Sequence, residues 1–218
     1  MRPLFLGIAL FALLGAIAFA PRLVIAGPAE SSVWIEVERD SGVVFKGYRL
    51  PREGEGMGVV VSRTEVFTAA HVVFGATKIK LVDATGMAFT AEIVSIDYDV
   101  DIAILRIDRL FQDFAYIRSR PAAPSERVSV VPLSRLSGEQ TLSSGTIGTV
   151  HFTSHGVPVP LIFSGIKGEK GQSGGGLFDD KGYLVGIIIR IDARLSYLSA
   201  LPAQELCTRF SRCPVEVR

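Results

Sequence analysis

A serine stands among glycines in the stretch GQSGGGLF, residues 171–178. Glycine lets a backbone turn tightly or approach a ligand closely, and GQSGG fits the G-x-S-x-G pattern of a turn that presents a nucleophilic serine. A serine hydroxyl is a weak nucleophile at neutral pH. It needs a neighbouring base, usually histidine, and an acid that holds that base in its tautomer. Ser173 is therefore a candidate nucleophile or part of a flexible turn, depending on whether the chain offers such partners.

Three histidines could serve as the base, namely His71, His151 and His155. All of them precede Ser173, which excludes the α/β-hydrolase order of serine, acid and histidine, while the orders His-Asp-Ser and Asp-His-Ser remain open. His71 lies in VFTAAHVV, where small neighbours leave room for an imidazole to face a cleft, although a core histidine bonded to a carbonyl would also fit. The other two lie in VHFTSHG, a strand-and-turn sequence that favours a surface or cleft position over a metal pair.

The segment SIDYDVDIAILRI supplies three candidate acids, Asp97, Asp99 and Asp101, which share one parity if the segment is extended. Asp101 directly precedes the apolar run IAILRI, so its carboxylate is expected at the edge of a buried strand. A carboxylate there would be shielded and oriented, as an acid that orients a histidine must be. Asp97 and Asp99 are expected to be solvated loop acids.

The rest of the chain consists mostly of short strand-like segments with turn residues at close intervals, and their apolar period is two rather than 3.6. Two helical exceptions are expected, one turn after TAAH and a terminal helix over PAQELCTRF. The segment RSRPAAPSER, residues 118–127, has the composition of a linker. Two all-β halves joined by such a connector predict two barrels or sandwiches.

Residues 1–29 have a different character. An uncharged, mainly apolar run separates Arg2 from Arg22, and no acidic residue precedes Glu30. This pattern is typical of an export signal or of a single membrane anchor. Cleavage of the segment and its retention as an anchor both remain open.

Charge and cysteine content restrict the partners and the compartment. The formal net charge is +1, which argues against nucleic acid as a partner. The two cysteines, Cys207 and Cys213, are separated by TRFSR, and in an exported protein a disulfide between them is plausible, whereas a cytosolic location would favour two thiols. No histidine lies near them, so a zinc site is not expected.

Three blocks of this sequence, TAAHVV, DVDIAILRI and GQSGGGLFDDKGYLVGI, resemble in that order the signature blocks of trypsin-like serine proteases. The resemblance is closest to the bacterial chymotrypsin-fold proteases of the HtrA/Deg kind. The segment GMGVVVSRTEVFTAAH of this chain also resembles the opening strand pair of that family. It covers roughly residues 55–190, and the candidate residues of the three blocks lie 30 and 72 positions apart along the chain.

The resemblance implies an all-β fold of two antiparallel six-stranded β-barrels, with a short C-terminal helix and an N-terminal hydrophobic helix. Residues 30–122 would form the first barrel and residues 123–218 the second. His71 would be the general base, Asp101 would orient it and Ser173 would attack the scissile carbonyl. The backbone N–H groups of Gly171 and Ser173 would form the oxyanion hole, and neither cofactor nor metal would be needed.

The chain departs from the family pattern in a few places. Gln172 replaces the usual Asp or Asn, and Gly176 replaces the usual Pro. HtrA proteins usually continue into a PDZ domain, whereas only about 15 residues follow Ala203 here, so no such domain is expected.

We therefore expect a serine endopeptidase that acts on polypeptides and is located in the bacterial periplasm or cell envelope, either free there or tethered to the inner membrane by the N-terminal segment. Two rivals share the fold: a catalytically silent protein that binds peptides without cutting them, and a simple esterase.

Overall fold

The computed structural model describes residues 26–131, 142–154, 157–192 and 194–210, with the backbone alone for 151–154 and 157–159. His155, Cys213 and nearly all of the N-terminal apolar segment lie outside these ranges. The elements in chain order are β1 Ser32–Arg39, β2 Val44–Phe45, β3 Tyr48–Arg49, β4 Glu53–Val60, β5 Glu65–Ala69, α1 Ala70–Val73, β6 Ala76–Val82, β7 Ala88–Asp97, β8 Ile102–Ile107, β9 Arg127–Val130, β10 Ser143–Ser154, β11 Val157–Lys167, β12 Gly176–Asp179, β13 Leu184–Ile191, β14 Tyr197–Pro202 and α2 Ala203–Phe210.

The first six long strands close into a barrel in the order β1-β4-β5-β8-β7-β6, with antiparallel neighbours. Strand β1 shows why the sequence folds in this way. Its valines and isoleucine at 33, 35 and 37 alternate with Trp34, Glu36 and Glu38, so the apolar set faces the barrel interior and is buried. This is the period-two pattern of a strand with one buried face.

The second barrel closes in the order β10-β11-β14-β13-β12-β9, again antiparallel. Its interior holds a separate apolar cluster that includes Val130, Ile162 and Leu177. The expected fold class, two six-stranded antiparallel barrels with a short C-terminal helix, is confirmed.

A third apolar cluster joins the two barrels. Phe67 and Ile102 of the first barrel pack with Phe178 and Ile187 of the second, and Leu206 of α2 belongs to the same buried group. Phe67 on β5 and Ile102 on β8 are therefore buried between the barrels rather than exposed on the surface of the first one. Because the two barrels share this core, the edge where β5 ends and β8 begins is held at a fixed place against the second barrel.

The segment 118–127 differs from a solvated linker. Arg118 is only 2% exposed and its Nη1 lies 2.9 Å from Glu126 Oε2. The strands of the first barrel lie between Ser32 and Ile107 and those of the second between Arg127 and Pro202, while the division at residue 122 stays a prediction.

The terminal helix expected over PAQELCTRF is present as α2, and Cys207 on it packs against the cluster between the barrels. Cys207 is disulfide-bonded, but Cys213 lies outside the described residues, so the Cys207–Cys213 pairing stays a prediction. Neither helix within the described ranges has the length and apolar character needed to cross a membrane.

Candidate active site

Strand pairing brings His71 and Asp101 together. In the antiparallel pair of β5 and β8, Ala69 is opposite Ile102, so the residues that follow the first strand meet those that precede the second. The backbone N–H of Ala70 donates to the Asp101 carbonyl at 3.0 Å. The backbone N–H of His71 donates to Asp101 Oδ1 at 2.9 Å, and His71 Nδ1 lies 2.8 Å from Asp101 Oδ2.

The backbone of Asp101 has an unusual conformation for a residue with a side chain, with φ of +62°. Such left-handed geometry costs of the order of 1–2 kcal/mol. It turns the carboxylate back toward α1, where both oxygens are engaged. The Asp101 side chain is 17% exposed and that of His71 is 31% exposed, so the acid is shielded while the imidazole reaches the surface.

The other two acids of this segment have different surroundings. Asp97 ends β7, and its Oδ2 lies 2.9 Å from Arg209 Nη1 on α2. Its Oδ1 accepts the N–H of Asp99 at 3.0 Å, which closes a turn. Asp99 is exposed. The segment is thus a strand followed by a turn rather than continuously extended, so the shared parity of the three acids does not hold, and Asp97 is a structural acid rather than a loop acid.

Ser173 lies on the loop between β11 and β12, which is shaped by glycines on either side. Gly171 and Gly174 have φ of +90° and +87°, conformations that favour glycine. The Ser173 carbonyl accepts the N–H of Met57 at 2.8 Å, and the N–H of Gly174 donates to the Ile188 carbonyl at 2.6 Å. The serine is therefore anchored to both barrels, through β4 and through β13.

Close packing at two glycines places this loop against the residues that flank His71. A Cβ added to Gly174 would lie 2.9 Å from the N atom of Ala69, which is two residues before His71. A Cβ added to Gly56 would lie 2.6 Å from Val72 Cγ1 and 3.0 Å from the Ser173 carbonyl oxygen. Only glycine at these positions lets the two segments approach so closely.

The hydroxyl of Ser173 makes no hydrogen bond within the described ranges. The serine loop packs against the residues that flank His71, but no direct bond joins the two side chains. Catalytic hydrogen bonds commonly tighten only when substrate binds.

The N–H groups of the serine loop fall into two sets. Those of Gln172, Gly174 and Gly175 donate to the carbonyls of Glu169, Ile188 and Gln172. Those of Gly171 and Ser173 have no acceptor among the described residues. Two neighbouring unpaired donors of this kind can stabilise an oxygen that gains negative charge.

A groove of about 690 Å³ has His71 and Gly171 in its lining. It continues along the outer side of β1, β4 and β6, where its wall is strongly charged. The aromatic ring of Phe45, on the β2–β3 hairpin, lies 6.4 Å from the His71 ring between centroids. The groove therefore reaches His71 and the Gly171 end of the serine loop, while Ser173 is not among its lining residues.

Two structural supports of the site were not identified in the sequence. Gln172, noted only as a departure from the family, is buried, and its Oε1 accepts the N–H of Glu169 at 2.8 Å, which closes the serine loop. Arg39 is buried beneath the helix that carries His71. Nothing in its neighbourhood of the sequence signals this, because an arginine at a strand end is normally exposed.

The surface or cleft positions expected for the two remaining histidines stay predictions. His151 lies on β10, where only the backbone is described, and His155 lies outside the described residues. In the part of the chain that the structure describes, no three His, Cys, Asp or Glu side chains are grouped so that they could hold a metal ion.

Comparison with known proteins agrees with this geometry. Residues 56–187 match the family described as the trypsin-like peptidase domain. The serine protease Rv3671c of Mycobacterium tuberculosis is 32% identical over 143 residues, which are 62% of this chain and 35% of that protein. A probable periplasmic serine endoprotease, DegP-like, of Halomonas elongata is 29% identical over 156 residues, 68% of this chain and 32% of its own length. The chain spans about a third of the length of these curated relatives.

Solved structures show the same fold. The active form of the Rv3671c protease superposes with a TM-score of 0.70 at 23% identity, covering 94% of this chain and 96% of that one. The HtrA-type protease AlgW with a tripeptide gives a TM-score of 0.70 at 21% identity, covering 84% of this chain and 60% of that one. The resemblance seen in the three sequence blocks is confirmed, and the chain belongs to the trypsin-like peptidase family.

Proposed function

We propose that this protein is a serine endopeptidase that hydrolyses polypeptides through an acyl-enzyme, with Ser173 as nucleophile, His71 as general base and acid, and Asp101 as the acid that orients it. The observation that carries the proposal is the double link between Asp101 and His71. The carboxylate of Asp101 binds both the backbone N–H and the ring of His71. The serine loop with its two unpaired N–H groups lies beside this pair.

In the first half of the reaction, Ser173 Oγ attacks the scissile carbonyl carbon and His71 Nε2 takes its proton. The carbonyl oxygen becomes an oxyanion, which the N–H groups of Gly171 and Ser173 stabilise. When the intermediate collapses, the C–N bond breaks and His71 returns the proton to the leaving amine. Asp101 keeps its negative charge throughout and stabilises the imidazolium.

In the second half, a water molecule attacks the ester formed on Ser173, and His71 takes a proton from that water. The new tetrahedral intermediate uses the same two N–H donors. Its collapse releases the carboxylic acid product and returns the proton to Ser173 Oγ, so that the enzyme is regenerated. The residues present supply every proton transfer without a metal or an organic cofactor.

The polypeptide substrate is supported by the shape of the groove and by a structural neighbour, an HtrA-type protease determined with a tripeptide. Serine proteases and a periplasmic endoprotease among the relatives point the same way. With a formal charge of +1, the chain has no overall charge that would favour nucleic acid.

We place the protein in the bacterial periplasm or cell envelope. Support comes from the apolar N-terminal segment between Arg2 and Arg22 and from the relative named as periplasmic. This segment would be either a cleaved signal or an anchor in the inner membrane.

A library of peptides and a matched set of ester substrates tests the function. Peptide cleavage that disappears in Ser173→Ala supports the endopeptidase. Ester hydrolysis without peptide cleavage would identify an esterase, and binding of peptides with neither reaction would identify the catalytically silent alternative.

A further inference from the structure

Arg39, the last residue of β1, is the buried cation closest to the site, and the mechanism above does not use it. It is 5% exposed although arginine is among the residues most often found at the surface. A cation removed from water is costly unless its donors are satisfied. The contacts of its guanidinium therefore indicate what it does.

All these contacts are with backbone carbonyls near the helix that carries His71. Nε donates to the Phe74 carbonyl at 2.8 Å, and Nη2 donates to the carbonyls of His71, at 3.2 Å, and of Val72. Nη1 donates to the carbonyl of Pro51 at 3.3 Å. One planar fork thus binds three carbonyls at the end of α1 and one on the strand connection beside it.

The helix needs such support. It consists of one turn, Ala70–Val73, and its N-cap residue, Ala69, provides no capping side chain; a single turn is not stable on its own. At its beginning, Asp101 accepts the N–H groups of Ala70 and His71. At its end, Arg39 donates to the carbonyls that the helix leaves unpaired. The turn that carries the imidazole is thus held at both ends.

Two further facts indicate that this position is specific to arginine. No carboxylate pairs with Arg39 in the described ranges, and burial lowers its pKa from the ordinary value, so the carbonyls are its only compensation. Gly54 on the neighbouring strand leaves room for it, since a Cβ there would lie 2.5 Å from Arg39 Nη1.

We propose that Arg39 is a positioning residue for His71, which fixes the turn of α1 from beneath so that the imidazole keeps its alignment with Asp101 and Ser173. The inference rests on the proposed function. Positioning matters because a displacement of the base by about 1 Å lowers the rate by up to about a hundredfold.

The test compares Arg39→Met, which keeps the length of the side chain but removes the fork, with Arg39→Lys and with Arg118→Met. Arg118 serves as a control because it is also buried and donates to carbonyls, those of Arg120 and Pro121, but it lines a separate pocket that does not include His71 and pairs with the carboxylate of Glu126. For each protein, kcat and KM on a peptide substrate, the midpoint of thermal unfolding and the ¹H NMR resonance of the His71–Asp101 hydrogen bond are measured.

We expect Arg39→Met to lower kcat by about 10- to 100-fold with little change in KM, and to shift or broaden the resonance. Arg39→Lys should lie between wild type and Met, because an ammonium group cannot reach carbonyls on three sides as a guanidinium does. Arg118→Met should leave kcat and the resonance unchanged, even if its unfolding midpoint falls as far as that of Arg39→Met. If both Met variants lose kcat equally, or if Arg39→Met leaves the resonance unchanged, the proposal is wrong.

If Arg39→Met does not fold, Gly54→Ala takes its place. The added Cβ would push Nη1 aside while the arginine stays in the chain, so kcat should fall and the resonance should move, and an unchanged resonance would again contradict the proposal. The NMR measurement does not depend on activity. A wild-type protein that cleaves no peptide would overturn the proposed function, while the resonance would still decide whether Arg39 holds His71 in place.

Discussion

The carboxylate of Asp101 binds His71 twice, through Oδ1 to the backbone N–H at 2.9 Å and through Oδ2 to the ring Nδ1 at 2.8 Å. The first bond fixes where the residue sits and the second fixes how the ring is turned. In the tautomer with Nδ1 as donor, Nε2 is left as the acceptor. A base with this orientation is what the proposed attack by Ser173 requires.

Replacing the acid tests this relationship. In Asp101→Asn, the amide would present a donor to Nδ1 or leave it without its charged acceptor, which favours the wrong tautomer. We expect kcat to fall by about 10⁴-fold. Steady-state kinetics on a peptide substrate measures the loss, and circular dichroism checks that the fold is retained.

Asp99→Asn is the matched control, because Asp99 is exposed and lies only two residues away. It should keep kcat close to the wild-type value. Asp97→Asn should also stay within a few-fold, with its effect on stability instead, since the Arg209 ion pair is weakened. A large loss of kcat in Asp99→Asn would mean that the wrong acid has been assigned.

The nucleophile is tested by Ser173→Ala. This change should remove several orders of magnitude of kcat while the unfolding midpoint stays close to that of wild type, because the Ser173 contact that anchors the loop is made by its carbonyl. His71→Ala should cost about as much, and the double variant little more, because such residues act as a unit. A fluorophosphonate probe should label the wild type at Ser173, and labelling that persists in Ser173→Ala would rule out the assignment.

Gly174 provides a test of the close approach between the loop and the first barrel. Its φ of +87° disfavours any side chain, and a Cβ would lie 2.1 Å from the Met57 carbonyl oxygen. Gly86 has almost the same φ, +84°, but nothing lies within 4 Å of its Cβ position. Comparing substitutions at Gly174 and Gly86 therefore separates the effect of backbone strain from the effect of steric overlap.

Gly86→Ala should lower the free energy of unfolding by about 1 kcal/mol and leave activity unchanged. Gly174→Ala should lower it further and should abolish most activity, because the loop must move away from β4. Urea denaturation and peptide cleavage measure the two effects. Equal loss of stability in both variants would show that the loop is not packed as tightly as described.

The period-two apolar pattern was sufficient to predict two all-β halves, each a barrel or a sandwich, because both have strands whose alternate residues are buried. Only the resemblance to trypsin-like proteases selected two six-stranded barrels. The three sequence blocks led to the candidate residues His71, Asp101 and Ser173. Strand pairing of Ala69 with Ile102 explains why the first two meet.

The details that the sequence did not reveal depend on conformation and on long-range burial. The left-handed backbone of Asp101 interrupts the extended segment assumed for the three acids. The local sequence does not predict the burial of Arg39 or of Arg118. The hydrogen bonds that compensate for the burial of Arg39 come from residues distant in the sequence, and those of Arg118 come from a nearby turn. The composition of residues 118–127 favours a linker, whereas Arg118 at the start of this segment is fixed by Glu126 near its end.

Asp83 is expected to make the stability of the first barrel dependent on pH. Its side chain is 7% exposed. Burial by itself would raise its pKa, but the pKa is lowered because the Thr85 hydroxyl, the N–H groups of Met87 and Thr85 and the charge of Arg109 all favour the carboxylate. The native state therefore releases this proton more readily than the unfolded chain does.

The sign of the effect follows from that difference. Between the lowered native pKa and the ordinary pKa of the unfolded chain, the unfolded state binds more protons, so the free energy of unfolding rises with pH. The contribution of Asp83 is fully present above the ordinary carboxyl pKa and is lost as the pH falls through the lowered value.

Asp83→Asn should remove this part of the pH dependence and lower the free energy of unfolding at neutral pH. Asp40→Asn, at an exposed aspartate, controls for the loss of one charge. Urea denaturation from pH 7 downward measures both, and an identical slope in Asp83→Asn and wild type would contradict the prediction.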